Sequence, residues 1–403
     1  MKKTAEIFFN TMPVLLCFLM PYGIILGPFV ILWFISSLFL FDKERFFSGA
    51  KNPWFLIMFF FFLMHCLSGL FSDNKQEAVT GIENKLSFLA FPYFFFLYKM
   101  NDHTVKRMLI AFVSGCFFAL IICVARATYI YFTSGANEFF YNLFSVLIHA
   151  GYFSMYMLFC ILIVMFAYPK WFGKDKWVGI ISYFLVLAFL IGIFLCASKI
   201  GYGTVVLVLI IAPIIKFKHR LNLKVFLISS AVLLAVFFAM IKVFPKPFER
   251  LNNVFTTLSA DNIDKTSGES TAVRLLIWKE SREIVKENFW LGVGTGDAND
   301  VLQERYRQNG LTGALEHNLN THNQYFQTAI ALGIVGLLIM LFLTFGVMIY
   351  AFVKKHILLA LFSIIIILNF LVESMLQTQS GNLFFTGFLC LMLTHDVLKF
   401  RDI

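Results

Sequence analysis

KRMLIAFVSGCFFALIICVARATYIYFT, residues 106–133, decides the fold class. From Met108 to Ala125 the stretch is apolar apart from Ser114 and Gly115. A helix crosses the roughly 30 Å hydrocarbon core of a bilayer with about 20 such residues. Lys106 and Arg107 mark one end of the run, and Arg126 lies toward the other. The same pattern recurs on both sides of this run. Apolar runs cover approximately 7–23, 25–41, 53–71, 86–98, 106–133, 146–168, 177–196, 200–215, 225–243, 325–352, 357–372 and 382–397. The reading is an all-α integral membrane protein with about twelve transmembrane helices. The fourth run is short and borrows from an amphipathic flank.

Composition agrees. Hydrophobic residues make up 60% of the 403, and mean hydropathy is +0.80, whereas a soluble domain is about half apolar. A net charge of +10 would suit nucleic acid. Its distribution argues against that, because the basic residues sit at the ends of apolar runs. The seven cysteines all fall in or beside apolar runs. An odd count without paired spacing argues against a disulfide framework and a zinc site. Lys2 and Lys3 precede an apolar run without an evident cleavage site, so the N-terminus reads as a first spanning helix.

Charge sets the orientation. With both termini in the cytoplasm, the cytoplasmic segments carry nineteen of the 33 lysines and arginines, among them Lys43, Arg45, Lys51, Lys216, Lys218, Arg220 and Lys224. The short outer loops carry few, as the positive-inside rule requires. Residues 1–243 then hold nine helices, 244–324 form one large outer loop, and 325–403 hold the last three.

The outer loop begins with a polar, flexible stretch at 250–268. Val273, Leu276, Ile277, Glu280 and Ile284 then recur at helical spacing over 270–288, with Ser270 as N-cap. Such an amphipathic helix suits the membrane interface. The cluster Gly292-Val293-Gly294-Thr295-Gly296 lacks the preceding strand of a dinucleotide site, so it reads as a tight turn or close backbone approach. A polar helix around 297–308 follows. His317-Asn318-Leu319-Asn320-Thr321-His322 then leads into the tenth apolar run.

Seven ionisable residues map to the outer face or outer third: Lys85, Arg126, His149, Lys199, Arg274, His322 and Glu373. His322 reads as first-turn helical, where the helix dipole favours neutral imidazole, a proton acceptor. A surface histidine is the plainer alternative. Arg274 suits a phosphate, through two parallel hydrogen bonds, or a lipid headgroup. Lys199 sits in an outer turn against the charge trend, and the alternative is snorkelling. Arg126 is an intramembrane charge, with snorkelling again the alternative. His149 and Glu373 are residues that more often serve packing or an interface. A basic, histidine-bearing pocket fits a lipid-linked pyrophosphate. No metal site is expected: the loop offers only Asp261-x-x-Asp264 and Asp297-x-x-Asp300, poor for a divalent ion. No G-x-S-x-G nucleophile elbow is present.

These motifs resemble the O-antigen ligase and polymerase superfamily of bacterial envelope glycosyltransferases. The resemblance is carried by Arg274-Leu275-Leu276-Ile277-Trp278, by residues 288–296, by His322-Asn323-Gln324-Tyr325-Phe326-Gln327 and by residues 332–337. His149 with Tyr152-Phe153-Ser154, and Glu373-Ser374, also look like family features. It implies a GT-C-like, metal- and cofactor-independent inner-membrane glycosyltransferase. The donor would be an undecaprenyl-pyrophosphate-linked glycan and the acceptor, for a ligase, a lipid A–core sugar, with the large loop periplasmic. His322 resembles the catalytic histidine and Arg274 the loop arginine on the pyrophosphate. Where the family usually carries a second arginine after a serine, this chain has Ser198-Lys199; lysine keeps the charge and loses the planar fork. A polysaccharide polymerase and a protein O-oligosaccharyltransferase are acceptor variants of the same reading. A transporter would show broken, charged helices at mid-membrane and an inverted repeat.

Overall fold

The computed structural model describes residues 2–24, 26–173, 175–206, 265–266 and 271–395. Among these residues the chain is helical, without strands. The run 225–243, the flexible stretch 250–268 apart from 265–266, Ser270, the Asp261–Asp264 pair and the boundary at 243/244 lie outside them, as do Lys174 and the basic clusters at 216–224 and 399–401.

The first half comprises α1 (Lys2–Leu19), α2 (Gly27–Leu38), α3 (Lys43–Ala50), α4 (Pro53–Phe71), α5 (Lys75–Lys85), α6 (Ser87–Leu97), α7 (Asp102–Ser134), α8 (Ala150–Phe166), α9 (Tyr168–Phe172) and α10 (Lys176–Cys196). A helical segment at 199–206 follows, designated α11. Then come α12 (Thr271–Glu287), α13 (Ala298–Asn309), α14 (Thr312–Glu316), α15 (Gln324–Val353, which includes a π-helical stretch Phe342–Gly346), α16 (Ile357–Phe370) and α17 (Gln379–Thr394).

Among the described residues, five helices are long and apolar enough to cross a membrane: α1 with its continuation to Tyr22, α4, α7, α10 and α15. The apolar helices α2, α8 and α16 are shorter. Burial separates two of these from the longest. In α8 every side chain except Met165 is buried, and α16 is nearly as enclosed. A helix that is apolar all round belongs inside protein. By contrast α4 and α10 are each only 22% buried, which suits lipid. Phe112, Tyr156, Phe159, Phe384 and Phe388 interlock α7, α8 and α17, with Tyr156 and Phe384 stacked at 4.6 Å. The fourth apolar run is the short helix α6, and its polar flank is the separate helix α5, with Leu86 between them.

The amphipathic helix expected at 270–288 is α12, with Val273, Ile277, Ser281 and Ile284 buried on one side. The polar helix around 297–308 is α13. Asp297 and Asp300 are held by the corner between α4 and α5. Asp297 accepts from the backbone N–H of Asp73 and Asn74 at 2.9 and 2.8 Å, and Asp300 from the Asn74 side-chain amide at 2.8 Å.

One difference from the sequence reading concerns α15. The apolar run 325–352 is not one straight helix: Gly333 adopts φ 64°, ψ −158°, which breaks it. The Gly292–Gly296 turn seats in that break. The N–H groups of Val293 and Gly294 donate to the carbonyls of Ile330 and Ala331 at 2.8 and 3.1 Å. The Ile334 N–H donates to the Phe289 carbonyl at 2.8 Å. A Cβ on Gly333 would lie 2.3 Å from the Trp290 carbonyl oxygen. The glycines therefore serve close backbone approach.

Candidate functional site

His322 is positioned by its backbone. It lies before the N-cap of α15, which is Asn323, rather than in the first helical turn as its sequence suggested. Its φ is 45°, a left-handed conformation that costs a non-glycine residue on the order of 1–3 kcal/mol. The surroundings impose it. The fully buried Thr321 hydroxyl meets Ser374 Oγ at 2.8 Å and Gln327 Oε1 at 3.0 Å. Trp278 Nε1 of α12 donates to the Thr321 carbonyl at 3.0 Å. The Asn323 amide nitrogen donates to the Leu371 carbonyl at 3.0 Å, and the Asn320 carboxamide oxygen accepts from the His322 N–H at 2.9 Å.

The imidazole thus faces Glu373, in the turn after α16. His322 Nδ1 lies 3.4 Å from Glu373 Oε2, and Arg274 Nη2 of α12 donates to Oε1 at 2.9 Å. Glu373 is mostly buried, which acts to raise its pKa. The His322 hydrogen bond and the Arg274 guanidinium outweigh burial and hold the carboxyl below its ordinary range. Arg274, His322 and Glu373, separated by 48 and 51 residues in the chain, therefore form one cluster.

Two further residues named from sequence border it. His149 caps α8 by accepting the Gly151 N–H on Nδ1 at 3.3 Å, close enough to Glu373 to influence its carboxyl. Ser198 Oγ lies 3.9 Å from where a Gly151 Cβ would stand, so the Ser198-Lys199 turn abuts the His149 cap. Lys199 Nζ lies 3.4 Å from Thr271 Oγ1, one helical turn before Arg274.

The structure places two others elsewhere. Arg126 pairs with Glu138 at 2.8 Å and donates to the Leu143 carbonyl at 3.0 Å, in the loop before α8. Lys85 is buried, with Nζ donating to the Leu376 carbonyl, which also accepts from Asn382 Nδ2 at 2.8 Å. Gln324 Oε1 accepts the Leu376 N–H at 2.7 Å. Lys85 therefore grips the backbone of the 373–378 segment that carries Glu373. Burial lowers its pKa to about 7.

Sequence reasoning placed Trp278, Gln324 and Gln327 within the motifs but missed that they, with Thr321, support the site. Their spacing carries no signal of that role, and only the hydrogen bonds they make around Thr321 and the 374–376 segment mark them. Among the described residues no three His, Cys, Asp or Glu side chains are grouped to hold a metal ion.

Fold and site together define an all-helical, multi-pass membrane protein with a cationic, imidazole-bearing cluster beside the ends of its helices. Residues 183–341 match the family model described as O-antigen ligase, and the match supports the superfamily resemblance. It spans Lys199, Arg274, the glycine turn and His322. It supports a membrane function of the ligase or polymerase type. No curated protein matches the chain.

Proposed function

We propose that the protein is an O-antigen ligase. It transfers a glycan from undecaprenyl pyrophosphate to a sugar hydroxyl of lipid A–core at the periplasmic face of the inner membrane, without metal. The observation that carries this reading is Glu373 bridging Arg274 and His322, inside and beside the stretch that matches the O-antigen ligase model.

In this reading Glu373 accepts from the Nδ1–H of His322. That selects the tautomer with a lone pair on Nε2, which takes the proton of the acceptor hydroxyl. The freed oxygen attacks the anomeric carbon, and the pyrophosphate leaves with the bonding electron pair. Arg274 spends one donor on Glu373, and a guanidinium has five. Its remaining N–H groups and the Lys199 ammonium neutralise charge growing on the leaving pyrophosphate. His149 lines the same cluster. Arg126 and Lys85 act on the loop before α8 and on the 373–378 segment rather than on substrate.

The lipopolysaccharide gel pattern of a deletion strain tests the reaction. Rough molecules together with stalled lipid-linked chains are the expected result. Core carrying a single repeat unit would overturn it in favour of a polymerase. An unchanged pattern beside loss of glycan from envelope proteins would point to a protein acceptor.

A further inference from the structure

Phe289, Trp290 and Leu291 have no part in the proposed chemistry, yet Trp290 is 71% exposed and Leu291 79%. They follow α12 directly, and their depth is fixed. The backbone bonds around Gly333 seat the turn on α15, and a Cβ on Gly292 would lie 2.5 Å from the Ile330 carbonyl oxygen. Beyond the Gly333 break, residues 334–353 form an apolar stretch of about the length that crosses the hydrocarbon core. On its other flank the turn rests on the end of α4. The Gly296 N–H donates to Ser72 Oγ at 3.0 Å, just past Phe71, which is 86% exposed. The candidate span α4 therefore ends, and the span α15 is broken at Gly333, where the Trp290–Leu291 tip projects. Tryptophan is enriched at that boundary between hydrocarbon and headgroups.

We propose that Trp290 and Leu291 insert into the bilayer interface of the leaflet nearest His322 and anchor the end of α12 on phospholipid. The occupant is lipid because the tip continues the exposed apolar faces of α4 (Leu70, Phe71) and α15 (Val335, Leu338). The anchor holds α12, which carries Arg274 near its start, alongside the membrane surface. A lipid-linked substrate then meets the cluster from the bilayer side. The inference depends on the membrane-spanning helices and not on the assigned reaction.

The test uses the full chain in lipid nanodiscs. Tryptophan fluorescence is compared between wild type and Trp290→Phe, with phospholipids brominated near the headgroup end or near the chain terminus. The difference signal isolates Trp290, and the expected result is quenching that is strongest with shallow bromines. A difference signal quenched by aqueous acrylamide and by neither lipid places Trp290 in water and overturns the proposal. One quenched by none of the three places it in a protein contact and overturns it equally. A spin label on Leu291→Cys, in a Cys66→Ser background because the other native cysteines are buried, gives an independent reading. Collisions with oxygen should exceed those with a water-soluble nickel complex; the reverse order rejects the anchor.

Discussion

His322 pays for its place in backbone strain: a φ of 45° persists because Trp278, Ser374, Gln327 and Leu371 hold the residues on either side of it. If the imidazole is the general base, His322→Ala lowers transfer by about a hundred- to ten-thousand-fold while donor binding persists. His317, exposed at the end of α14, is the internal control, and His317→Ala stays near wild type. A transfer assay at matched expression, with donor binding measured separately, decides; near-normal turnover in His322→Ala removes the histidine from the mechanism. Lys199 supports a second test. Lys199→Ala and Arg274→Ala should each weaken donor turnover, and Lys199→Arg should match or exceed wild type, since the guanidinium fork suits a pyrophosphate. An inactive Lys199→Arg beside a fully active Lys199→Ala would show that the residue is not a phosphate ligand.

At the scale of elements, the break in α15 and the glycine turn are one device. Gly333 combines a φ of 64° with a Trp290 carbonyl oxygen 2.3 Å from its missing Cβ. Gly333→Ala should therefore lower the melting temperature in detergent markedly, because backbone rather than a flexible side chain must move. Gly27→Ala, with nothing within 4 Å, is the matched control and should leave it unchanged. The junction of α5 with the 373–378 segment makes a pH-dependent prediction. Burial takes the Lys85 pKa from 10.5 to about 7, so between those values the folded protein binds fewer protons than the unfolded chain. Stability attributable to this residue is therefore lowest below about pH 7 and rises as pH climbs toward the unfolded value. Thermal unfolding of wild type against Lys85→Met, followed from neutral to alkaline pH, should show wild type gaining on the variant. A constant difference would mean that the ammonium is not desolvated.

For the whole molecule, the arrangement of charge makes the widest claim. In the proposed topology, the basic clusters stay on the cytoplasmic side and the His322 cluster falls on the outer face. Reporter fusions after Lys176 and Lys355 should read as cytoplasmic, and one near Asp261 as periplasmic. A cytoplasmic signal at Asp261 would separate the site from a donor presented outside, and the proposed reaction would fall with it.

The sequence by itself determined the helical membrane character, the places of most helices and the amphipathic nature of α12. These follow from local composition, since the length of an apolar run and the period of its polar residues are properties of neighbouring residues. It also singled out Arg274, His322 and Glu373 as separate residues on the outer side. Only the tertiary structure brought them onto a single carboxylate, because contacts across tens of residues leave no periodic trace in the chain. The helix break at Gly333 was equally hidden: 325–352 reads as one apolar run, and the break depends on a turn some forty residues earlier docking backbone to backbone against it. Lys85 and Arg126 were legible as charges beside a membrane, but which carbonyl or carboxylate each one meets was decided by how the helices pack.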